Sequence, residues 1–78
     1  MKTMTCKQLG GSCDMKFQAN TFDEIGELSK IHAKEMFEKQ DLEHLDALYK
    51  MSELMKDNST FINWLSNKKE EFANLPED

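Results

Sequence analysis

The chain has 78 residues, 38% of them hydrophobic and 32% charged, with ten lysines, no arginine, fifteen acidic residues and a formal net charge of −5. That balance argues against nucleic acid and anionic membrane surfaces as partners, because both are held by basic patches; the longest basic run, Lys68–Lys69, is followed at once by Glu70–Glu71. A single domain of this size buries only about 60% of its unfolded surface, and its core supplies about 3–5 kcal/mol, so a metal, a disulfide or a partner subunit would help it.

The opening Met-Lys-Thr-Met-Thr-Cys-Lys contains no apolar run long enough for a signal peptide or a membrane span. A cytoplasmic location is expected, and there two cysteines are thiols or metal ligands rather than a permanent disulfide. Met4 and Cys6 alternate with Thr3 and Thr5. After the turn residues Leu9-Gly10-Gly11-Ser12, Cys13, Met15 and Phe17 alternate with Asp14, Lys16 and Gln18. Period-two alternation on both sides of a Gly-Gly turn predicts a β-hairpin over 2–19, its buried face carrying Met4, Cys6, Cys13, Met15 and Phe17.

Thr21 followed three residues later by Glu24 forms a capping box, which predicts a first helix over about 22–39. Phe22, Ile25, Leu28, His32 and Met36 fall on one stripe of it. Asp41 caps a second helix, about 42–56, with a main apolar stripe of Leu42, Leu45, Leu48, Tyr49 and Met55. Ala47, Met51 and Leu54 form a second patch, the part that core packing explains least, and this patch suggests a homodimer through helix 2. The Asp57-Asn58-Ser59 stretch stops that helix and starts a third, about 60–74, carrying Phe61, Trp64, Leu65 and Phe72. The whole is an α+β fold, one domain over 1–76, with 77–78 expected as a frayed tail.

Within this frame Cys6 and Cys13 lie across the turn on the core side. Opposed residues of an antiparallel pair have Cβ atoms about 4.5–5.5 Å apart, close enough for two thiolates to share one tetrahedral ion. His32 lies in the middle of the stripe that packs on this face, and imidazole beside two thiolates suits zinc. The plain structural alternative is that buried thiols act as small hydrophobes and the histidine as an ordinary core residue, leaving a metal-free helical interaction module or homo-oligomer. For a fourth ligand the candidates are Glu35, one turn beyond His32, and His44, which lies beside the second apolar patch of helix 2 rather than clearly on the hairpin side; a three-ligand site open to water is the alternative. No catalytic residue is assigned. The cysteines point inward in an acidic protein, Asp23, Glu24 and Glu27 follow helix-surface spacing, and Gly10–Gly11 is a turn rather than a phosphate loop.

The opening through Cys6, Gly10-Gly11 and Cys13, the Phe17 strand, the Thr21–Glu24 helix start and His32-Ala33-Lys34-Glu35 resemble a widespread set of short, mostly bacterial proteins of unknown function, sometimes described as predicted small metal-binding proteins. The resemblance covers residues 1–37. It implies a shared fold and carries Cys6, Cys13 and His32 over as metal ligands. That family's pattern places a second histidine in the same helix, where this chain has Met36 and Phe37, so the remaining ligand does not carry over. The segment from Asp41 onward looks like an added helical hairpin.

Overall fold

A computed structural model describes residues 1–78. Two short strands, β1 (Lys2–Thr5) and β2 (Lys16–Ala19), form an antiparallel hairpin, with a single 3₁₀ turn (Lys7–Leu9) in the connection; α1 (Phe22–Glu38), α2 (Leu42–Lys56) and α3 (Asn58–Asn74) follow. The α+β expectation holds, and all three helices start within two residues of where their caps placed them. Thr21 Oγ1 accepts from the Glu24 backbone N–H and donates to the Glu24 carboxylate. Asp41 accepts from the His44 N–H, and Asp57 from Ser59 and Thr60. Each satisfies donors that the first helical turn otherwise leaves unpaired.

The hairpin register differs from the sequence reading. Lys2 pairs with Ala19, Met4 with Phe17 and Thr5 with Lys16. The next backbone bond, Cys6 N–H to Met15 O at 2.8 Å, brings Cys6 beside Met15 rather than Cys13. The ladder ends there because six residues between the cysteines are too many for a tight turn. They form a 3₁₀ turn closed by Gly10, which is left-handed (φ 92°) and donates to Lys7 O. Both cysteines thus leave the strands, and Met15, expected on the buried face, is 51% exposed. Ala19 takes the vacated place in the core.

The densest packing lies between the hairpin, α1 and the end of α3. Met4 and Ile25 are fully buried, joined by Cys6, Phe17, Ala19 and Phe72. Phe72 meets Phe22 edge-on, and Lys2 Nζ donates to the carbonyls of Phe72 and Ala73, a cation on the negative end of α3. The last two residues lie against the N-terminus: Asp78 N–H donates to Met1 O, and Glu77 pairs with the amino group of Met1.

Between α1 and α2 the chain reverses at Gln40, the one non-glycine residue in the left-handed region (φ 57°). Gln40 N–H reaches Phe37 O and Asp41 N–H reaches Met36 O, the paired bonds of a Schellman stop. The reversal turns α2 so that His44 and Ala47, not Leu42 and Tyr49, face inward. Leu42 is 80% exposed and Tyr49 64%, so the expected main stripe is largely outside. Ala47 and Met51, assigned to a partner surface, face the interior of the fold.

Candidate metal centre

The turn after β1 folds the chain back over the Cys6 side chain. The Cys6 carbonyl accepts from the N–H groups of Leu9 and Gly11, and Lys7 N–H donates to Cys13 O at 3.0 Å. This curl aims the backbone N–H groups of Ser12 and Cys13 at the Cys6 sulfur, and that of Met15 at the Cys13 sulfur. Such bonds favour sulfur in its anionic form. Position 11 admits no side chain, because a Cβ there would overlap the Cys6 sulfur.

Helix α1 delivers His32 over the same turn. It is 9% exposed, packs edge-on against Phe17 and places Nε2 3.3 Å from Cys13 Sγ. Helix α2 delivers His44 from its first turn, 7% exposed, with Nε2 3.8 Å from Cys6 Sγ. The two imidazoles meet edge to face, centroids 5.2 Å apart. One ligand atom from each of Cys6, Cys13, His32 and His44 lies within 4.8 Å of the other three. A tetrahedral ion at the usual zinc–sulfur and zinc–nitrogen lengths separates its ligand atoms by about 3.3–3.8 Å. The donor set matches a tetrahedral site in type and number, and these four residues lie close enough to share one ion once they draw in by up to about 1 Å.

Outside the four ligands, Asp41 Oδ1 takes both the His44 backbone N–H, at 3.0 Å, and contacts its Nδ1, at 2.9 Å. A carboxylate on Nδ1 keeps the proton there and leaves Nε2 free to ligate. In the metal-free chain this hydrogen bond holds His44 above its ordinary value of 6.5 and Asp41 below 3.8. Burial pushes the Cys6 thiol up from 9.0, against the pull of the Cys13 and Ser12 N–H groups. Burial also opposes ionisation of Cys13, but the Met15 N–H, His44 and Cys6 together outweigh it and leave Cys13 below 9.0.

The three residues singled out from sequence, Cys6, Cys13 and His32, therefore converge, the two cysteines from a loop rather than as opposed strand residues. Of the two candidates for a fourth ligand, His44 joins them and Glu35 stays exposed outside the cluster. A signal for His44 was present: it stands three residues after its capping aspartate and shares a helical face with Ala47, Leu48 and Met51. No protein-family model matches the chain, and neither a curated protein nor a solved structure matches it. No helix is long and apolar enough to cross a membrane.

Proposed function

We propose that this is a small metal-binding protein without catalytic activity, holding one zinc-type ion through Cys6, Cys13, His32 and His44. The observation that carries the reading is the convergence of two thiols and two imidazole Nε2 atoms from three separate elements within 4.8 Å. Four protein ligands leave no open position for a reacting water, which is the pattern of structural rather than catalytic zinc. An ion there would tie the hairpin loop to α1 and α2 and supplement a core in which only eight of 78 residues are buried. The acidic balance supports a partner other than nucleic acid, and two reduced cysteines suit a cytoplasmic setting. A second reading, a metal-free interaction module or homodimer, draws support from Leu42 and Tyr49, large apolar side chains standing out from α2.

Native mass spectrometry of protein purified without a metal-affinity tag tests the choice. One zinc per chain, removed by chelator and absent from His44→Ala, is the expected result. A bare-chain mass after zinc addition, with both thiols free, would sink the metal reading and leave the oligomeric state in the same spectrum as the guide.

A further inference from the structure

A second feature of the molecule adjoins the candidate metal centre, since Cys6, His32 and His44 stand on its wall. A cavity of about 250 Å³ lies among the 3₁₀ turn and the three helices, walled by Phe22, Leu48, Met51, Phe61, Trp64 and Leu65. All of these large apolar side chains are only half-buried, although a chain this short has few others with which to build a core.

The cavity is made by small residues where a packed core would have large ones. Gly26, Ser29 and Ala33 recur on one face of α1, and Ala47 faces them from α2. Glycine inside a helix is unfavourable by about 1 kcal/mol relative to alanine. Close packing does not account for Gly26, since a Cβ built there meets nothing within 4 Å. The missing side chain is open volume.

We infer that this cavity binds a small, uncharged apolar molecule, an aromatic or aliphatic body of roughly ten heavy atoms. The size follows from volume, because a dry apolar cavity of about 150 Å³ accepts benzene, with six. The lack of charge follows from a neighbouring hollow that shares Phe22, Gly26, Lys30, Phe61 and Leu65 with the cavity and carries Asp23, Glu24 and Glu27 with Lys30 and Lys69. Three carboxylates beside two ammonium groups offer no net attraction to an anionic head. Ser29 supplies the one hydroxyl on the wall, enough to orient a single polar atom. Met51 and Met55 line the same space with flexible, polarisable side chains that adapt to a guest's shape.

Naphthalene is a probe of the right size and polarity, and the six methionines are built-in reporters. With protein labelled at the methionine methyl carbons, naphthalene should shift the Met51 and Met55 resonances saturably, leaving Met4 in the hairpin core and Met15 outside unchanged. Gly26→Leu fills the cavity from α1 and should abolish those shifts while preserving the Met4 resonance; Ser29→Leu serves if the first variant does not fold. Zinc-loaded and chelated protein that both keep the fold should both respond, which separates this inference from the metal reading. The inference is overturned if Met51 and Met55 do not respond. It is equally overturned if both filled variants still bind, or if the two resonances follow protein concentration with the appearance of a dimer, since a second copy would then occupy the space.

Discussion

The two ends of α1 belong to differently built halves of the molecule. Near its start, Ile25 is fully buried against Met4, Phe17 and Phe72, and ordinary apolar packing holds hairpin and helix together. Further along, α1 faces α2 across small residues and a cavity, and the firmest meeting point is the cluster of Cys6, Cys13, His32 and His44. One half has a core, and the other has a cluster of candidate ligands in place of one. The contrast shows how a chain too short to close two apolar cores can fix a second helix pair by converging polar groups instead.

The hardest blow to the ligand-held half is loss of a sulfur. Cys6→Ser is expected to abolish stoichiometric zinc and to lower the urea midpoint more than any single packing change, bringing it to that of chelated wild type. Retained zinc at full stoichiometry would show that the turn does not supply a ligand. Within the packed half, Ile25→Ala should destabilise by about 2–5 kcal/mol, the range for deleting a fully buried aliphatic side chain. Leu48→Ala, half-buried beside empty volume, should lose less than half as much in the same urea titrations. Equal losses would erase the distinction between the halves.

Asp41→Asn is subtler, because asparagine caps a helix nearly as well as aspartate but puts no charge on His44 Nδ1. Zinc affinity is expected to fall about 10–100-fold, as is usual when an outer partner of a metal-bound histidine is lost. The metal-free proteins should also differ with pH. Asp41 lies below its ordinary 3.8, so its contribution is complete above 3.8 and fades as pH falls through the lowered value. His44 lies above its ordinary 6.5, so its contribution is complete below 6.5 and fades as pH rises through the raised value. Chelated wild type should therefore exceed Asp41→Asn in thermal midpoint most clearly between 3.8 and 6.5, and a gap that widens above that window would contradict the pairing. The smallest expected change is favourable. Gln40→Gly relieves a left-handed residue at the corner between the helices and should stabilise by roughly 0.5–1 kcal/mol; a loss on urea titration would mean the Gln40 side chain holds something in place.

Much of this was legible from local chemistry. Thr21, Asp41 and Asp57 mark the helix starts because capping depends on residues three or four positions apart. The alternation around Gly10–Gly11 marks the hairpin for the same reason. What escaped depends on tertiary geometry. The register slips by two residues from the expectation because the Cys6–Cys13 segment closes as a 3₁₀ turn, which alternation does not encode. Leu42, Leu45 and Tyr49 outweigh a histidine in hydrophobicity, so the sequence pattern of α2 points to the face that the fold leaves largely outside. The corner at Gln40 turns the opposite face inward, and that turn brings His44 to the cysteines.

The order of the ligands along the chain has a consequence for which parts come loose first. Cys6 and His44 are 38 positions apart, and every residue between them would sit in a loop closed by the shared ion, so that unfolding this segment would regain less entropy than in an open chain. Helix α3 lies beyond the last ligand. Its attachment rests on Phe72, on the carbonyls held by Lys2 and on half-buried contacts with α2, so an opening that peels it away leaves the cross-linked segment intact. Amide exchange with the metal in place should accordingly divide the chain near Asp57, with α3 exchanging through a partial opening and α1 surviving until the whole molecule unfolds.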